Sequence, residues 1–205
     1  MKTGYGSFRM ADMKKLQESF MKEAIIPYKV TASFPAFLIF ELQYIIEVNE
    51  GTAFGAQFGY ESTGGRLHYG DYSGESYANQ ALDAFTVGFN ASEYLKSEEK
   101  YAIPIFINVD AVFTSLKIES SLRVGHQQET EQLKFSSIGI SFEPGVGYRR
   151  YFSSFVLGFD VGYEINLNDR LYFSEDKQAY LTDDNDNPLK AQWSGLRMKL
   201  GAGIR

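Results

Sequence analysis

Residues 154–165 read Ser-Phe-Val-Leu-Gly-Phe-Asp-Val-Gly-Tyr-Glu-Ile. Side chains alternate with a period of two along a strand, so Phe155, Leu157, Phe159, Val161, Tyr163 and Ile165 share one face. Gly158, Asp160, Gly162 and Glu164 share the other. The same rule sorts the segment 193–205 into Leu196, Met198, Leu200, Ala202 and Ile204 against Gly195, Arg197, Lys199, Gly201, Gly203 and Arg205. It also sorts 135–149 into Ile138, Ile140, Phe142, Val146 and Tyr148 against Gly139, Ser141, Glu143, Gly145, Gly147 and Arg149.

Working outward, four more segments obey it. Residues 38–48 oppose Leu38, Phe40, Leu42, Tyr44, Ile46 and Val48 to Glu41, Gln43 and Glu47, and 52–62 oppose Phe54, Ala56, Phe58 and Tyr60 to Gly55, Gln57, Gly59 and Glu61. Residues 85–95 set Phe85, Val87, Phe89 and Ala91 against Thr86, Gly88, Asn90 and Ser92, and 101–115 set Ile103, Ile105, Ile107, Val109, Ala111 and Phe113 against Asn108, Asp110 and Thr114. An eighth strand, Thr3 to about Met10, is too short to fix its parity. With no linker-like stretch or internal repeat, the 205 residues are expected to form one domain, 1–205.

The connections alternate. Asn49-Glu50-Gly51, Lys96 to Lys100 and Arg150 to Phe152 are short, whereas 11–33, 63–82, 116–134 and 166–192 are long. Short periplasmic turns alternating with long extracellular loops characterise outer-membrane barrels. The expected fold is therefore all-β: an eight-stranded antiparallel up-and-down transmembrane β-barrel with a short helix in the first extracellular loop. That helix is expected from an Asp12 cap to Ala24, with Met13, Leu16, Phe20 and Ala24 on one face, packed on neighbouring loops or covering the mouth.

Glycine decides which face is inside. On the seven clear strands Gly55, Gly59, Gly88, Gly139, Gly145, Gly147, Gly158, Gly162, Gly195, Gly201 and Gly203 all lie on the polar face. An eight-stranded barrel has an interior that side chains just fill, so small residues beside charges suit it. The opposite face is nearly continuous Phe, Ile, Leu and Val, which lipid accepts and water does not. The alternative is a soluble lipocalin-like barrel with that face inward, where so many rings would crowd one another. Tyr101 and Tyr148 near the short-turn ends, and Tyr60, Tyr163 and Trp193 near the long-connection ends, are expected to form two membrane-interface belts.

The Gly-bearing strands, the inward acids opposite Arg197 and Lys199, and the closing run Trp193-Ser194-Gly195-Leu196-Arg197-Met198-Lys199-Leu200-Gly201-Ala202-Gly203 resemble the small OmpA/OmpX-like outer-membrane barrels of the Bacteroidetes type. The resemblance covers the whole chain and is one of pattern, which bears on architecture and not on activity. It implies a bacterial outer-membrane location. Such barrels usually end in an aromatic residue, and this chain ends in Arg205. The start, Met-Lys-Thr-Gly-Tyr-Gly, lacks the apolar core of a signal peptide and is read as that of a mature form.

Composition excludes other classes. A net charge of −6 argues against nucleic-acid partners. Cysteine is absent, removing disulfides and thiolate metal sites, and no cofactor or metal is expected. With mean hydropathy −0.26, no run is long and apolar enough for a spanning helix. Asp183-Asp184-Asn185-Asp186-Asn187 offers oxygen ligands for Ca²⁺, but Pro188 breaks the EF-hand pattern and a solvated turn is expected. The only histidines, His68 and His126, sit in predicted loops outside any catalytic motif, so an enzyme is not expected.

Glu41, Glu61, Asp110, Glu143, Arg149, Asp160, Glu164, Arg197 and Lys199 are expected to form a paired charge network in the lumen. The reading is a non-enzymatic monomer in a lipid bilayer, with a plugged polar lumen and a structural or surface-recognition role. The alternative is a narrow pore for small solutes or ions through the charged lumen. Arg66 to Tyr77, rich in Tyr, Ser and Gly, suits an adaptable recognition surface for an extracellular partner.

Overall fold

A computed structural model describes every residue except Glu50, Ser73, His126 and Arg205, with the backbone alone of Glu23. The elements are β1 (Lys2–Gly6), α1 (Ala11–Glu23), β2 (Lys29–Ser33), β3 (Phe37–Asn49), β4 (Thr52–Gly70), β5 (Gly74–Ser97), β6 (Tyr101–Val124), β7 (Gln127–Tyr151), β8 (Phe155–Asn168), β9 (Tyr172–Phe173) and β10 (Gly195–Ile204).

Eight of the strands close into an antiparallel up-and-down ring, in the order β1-β3-β4-β5-β6-β7-β8-β10 and back to β1. The closing strand is the shortest of them. β1 pairs on one edge with β10, Tyr5 opposite Met198, and on the other with β3, Tyr5 opposite Leu38. Closure leaves the ring without the unpaired strand edge that an open sheet must protect.

The two faces separate as the alternation requires. Phe54, Phe58, Phe85, Phe89, Ile107, Ile138, Phe155, Tyr163 and Leu200 are exposed on the outside, with Phe89 at 73%. Glu41, Glu61, Asn108, Asp110, Glu143, Asp160, Glu164, Arg197 and Lys199 are buried within. The lipocalin-like arrangement, with rings inward and charges in water, is therefore not the one adopted.

Three expectations are corrected. The connections 63–82 and 116–134 are not loops but continuations of the hairpins: the β4–β5 ladder runs unbroken from Thr52↔Glu93 to Gly70↔Glu75, and β6–β7 pairing reaches Val124↔Gln127. Glycine and polar residues at 63–82 suggested a loop, but a continuous cross-strand ladder outweighs their weak local preference. β2 covers the outer edge of upper β4, from Lys29↔His68 to Ser33↔Gly65.

The helix starts one residue before the expected cap. Met10, in the left-handed region at φ 42°, holds the N-cap position without a side-chain bond, and Ala24 is already extended. Asp12 lies in the first turn, where a carboxylate favours the positive end of the helix dipole, and it accepts the Lys190 backbone N–H at 3.2 Å.

Trp193 does not belong to an interface belt. It is fully buried, shares the inward parity of Gly195 and Arg197, and donates its indole N–H to Thr114 Oγ1 at 3.0 Å. An indole whose N–H finds a buried acceptor has no need of the headgroup region.

The interior thus has two levels. Toward the short turns it is charged. Toward the long connections it is an apolar core in which Met13 and Leu16 of α1 meet Phe8, Met10, Phe34, Trp193, Leu171 and Leu189 and the inward Leu82, Leu116, Ile118 and Phe135 of the wall. The helix covers the mouth, its apolar stripe turned down into the ring.

Candidate functional site

The charged level is built by alternate residues of eight paired strands, and all nine side chains expected there face inward. Eight are buried and Arg149, near the short-turn end, is mostly so. Lys199 Nζ donates to Glu41 Oε2 and Glu143 Oε2, both at 2.6 Å. Arg197 Nη2 donates to Glu61 Oε2 at 2.9 Å, Glu164 Oε2 at 2.7 Å and the Trp193 carbonyl at 2.7 Å, while Nη1 reaches the Ser7 carbonyl at 2.7 Å. Arg149 grips Asp160 through both terminal nitrogens, Nη2 to Oδ2 at 3.0 Å.

Sequence reasoning missed Lys2. Its ammonium bridges Glu41 Oε1 at 3.2 Å and Asp160 Oδ2 at 2.8 Å, joining the Arg149 and Lys199 clusters into one network. The signal was available: Lys2 has the parity of Gly4 and Gly6, and glycines such as Gly55, Gly88, Gly145, Gly162 and Gly201 mark the inward face on five of the other strands. Neutral groups extend the network. Gln57 donates to both oxygens of Asp110 at 2.7 and 2.8 Å, Gln43 donates to Gln57 at 2.8 Å, and Asn90 donates to Asn108 at 2.6 Å. Buried ions bear a desolvation cost of several kcal/mol each, roughly, so such pairing is the condition for placing them there.

The two levels meet at Arg197. Phe8 lies over its guanidinium at 4.9 Å and meets Trp193 edge-on at 5.1 Å, so the charge network ends against an aromatic lid. Glycine makes the close approach possible here. A Cβ on Gly195 would sit 2.0 Å from the Ser7 carbonyl oxygen, the approach that lets Ser7 reach Arg197.

Outside, Tyr101 stacks on Tyr148 at 6.2 Å near the short turns. Tyr60 packs on Phe85 and donates to Asp83 Oδ1 at 2.6 Å, and Tyr163 is exposed. At the far tips of the hairpins an open cleft of about 480 Å³ is lined by His68, Asp71, Tyr72, Glu75 and Arg123. His68 Nε2 donates to Glu75 Oε1 at 3.0 Å, and this bond first, then the charge of Arg123, holds the Glu75 carboxyl below its ordinary range. The second histidine, His126, and the terminal Arg205 lie outside the described residues. Asp183 accepts the backbone N–H groups of Asn185 and Asn187, each at 2.9 Å, so 183–187 forms a turn closed by its own side chain.

The chain matches no family model, no curated protein and no solved structure.

Proposed function

We propose that the protein is an integral β-barrel of a bacterial outer membrane, related to the OmpA/OmpX-like barrels, with a plugged lumen and a structural or surface-recognition role. One observation carries this reading: a closed ring whose outer face is a belt of exposed Phe, Ile, Leu and Val and whose inner face is an ion-pair network. In water such a belt far exceeds the few hundred Å² of contiguous apolar surface that monomers expose. In hydrocarbon it needs no partner, and a closed sheet leaves no backbone group unsatisfied. The protein then acts as a monomer, without catalysis, presenting the cleft around His68, Glu75 and Arg123 to an extracellular partner. Detergent-dependent solubility and heat-modifiable gel migration test it; a monomer that stays soluble without detergent would overturn it.

The second reading, a narrow path for small solutes or ions, is favoured by the acidic excess of the lumen and by a cavity of about 20 Å³ beside Lys199. Against it stands the apolar level, where Met13, Phe34 and Trp193 are fully or almost fully buried and close the mouth. Planar-bilayer recording decides: steady unit steps in the wild type, lost when Gly145 is replaced by a bulky residue, establish the pore.

A further inference from the structure

Glu143 of β7 and Glu164 of β8 stand directly opposite each other. The register flanking them, Phe142↔Ile165 and Gly145↔Gly162, leaves no other alignment, and both side chains are buried on the inward face. Like charges in opposed cross-strand positions repel across a Cβ separation of about 4.5–5.5 Å. One oxygen of each is accounted for: Lys199 donates to Glu143 Oε2 and Arg197 to Glu164 Oε2. The other oxygen of each, Oε1, is buried with no hydrogen-bond partner in the protein.

The wider charge balance points the same way. Lys2, Arg149, Arg197 and Lys199 supply four positive charges against six carboxylates, Glu41, Glu61, Asp110, Glu143, Asp160 and Glu164. Glu143 and Glu164 both line the 20 Å³ cavity, where Ser141, Thr86 and Gln57 add neutral oxygen atoms. That volume admits a single water-sized particle.

We propose that this cavity binds one alkali-metal cation, held between the free oxygens of Glu143 and Glu164. A buried carboxylate oxygen without a partner is costly, hard oxygen atoms suit an alkali ion, and a bare ion of this kind fits the space. Glu41, Glu61 and Asp110 also line the cavity, with Lys199 beside them, but Lys2, Lys199, Arg197 and Gln57 already engage their oxygens. Among the described residues no group of three acidic or imidazole side chains is placed to hold a metal ion, so the denser anionic set typical of a divalent ion is not offered. The inference stands on the interior geometry and does not depend on the membrane reading.

Thermal unfolding of the folded full chain, in Na⁺ against N-methylglucamine at equal ionic strength, tests it. Sodium is expected to raise the midpoint saturably, on the order of 5 °C, and the organic cation, too large for the cavity, is not. Glu164→Gln and Glu143→Gln are each expected to abolish the difference. Sodium-23 line broadening by the wild type, displaced by excess Li⁺, provides the same reading should either variant fail to fold. Equal midpoints in the two salts with no line broadening would overturn the proposal. So would a neutral carboxylic-acid infrared band at pH 7 that disappears in Glu164→Gln, since a proton would then fill the role given to the ion.

Discussion

The same strands build two unlike interiors. β10 carries Arg197 and Lys199 in the charged level, with Trp193 just before it in the apolar one, and β6 carries Asn108 and Asp110 below Leu116 and Ile118. The charged level is filled by the wall's own side chains, which reach across the ring to one another. The apolar level is filled by inserted chain, α1 and residues 171–193, which must bury a stripe as any water-soluble core does. The contrast teaches that inward polarity follows what fills the space, not the wall alone.

Breaking the charged level is expected to cost most. Arg197→Leu leaves Glu61 and Glu164 buried without their cation, a loss of about 3–5 kcal/mol read from urea unfolding of the refolded protein. A loss below 1 kcal/mol would show that water already solvates that level.

Trp193→Ala sharpens the comparison from the other side. Deleting a fully buried indole is expected to cost about 3–5 kcal/mol, at the lower end here because the adjoining chain is inserted and can resettle. Protease cleavage should then appear within 11–33 or 166–192 while the ring stays intact. Uniform loss of the whole fold would instead make the two levels one cooperative unit.

The outer face follows. Phe89→Arg on the exposed belt is expected to cost about 2–4 kcal/mol in lipid and much less in a soluble protein. Comparing unfolding in vesicles with that of Leu133→Arg, on the extended β6–β7 hairpin, tells belt from hairpin, since the second is expected to be nearly neutral.

The smallest effect lies at the hairpin tips. Glu75 is held below its ordinary pKa, so its contribution is present above the unfolded carboxylate range and is lost as pH falls through the folded value. Amide exchange at Gly74 and Ser76 should quicken in that acid window while the global melting point holds, and His68→Ala should weaken the dependence.

Alternation alone made the ring legible: the period of two in 154–165, repeated on seven strands, separates faces, and glycine assigns the inner one because a full eight-stranded interior leaves little room. The nine interior charges follow from that parity, and so does Lys2, through the glycines at 4 and 6, although the expected first strand began only at Thr3. Trp193 was misplaced because an aromatic near a strand end suits a headgroup belt and a plug equally well; its parity with Arg197 was the better guide. What only the tertiary structure decided is partnership. That Lys199 meets Glu41, 158 positions away, and that α1 turns its stripe into the mouth both depend on strand register and ring closure, which no local pattern encodes because they are set by how all the strands fit at once.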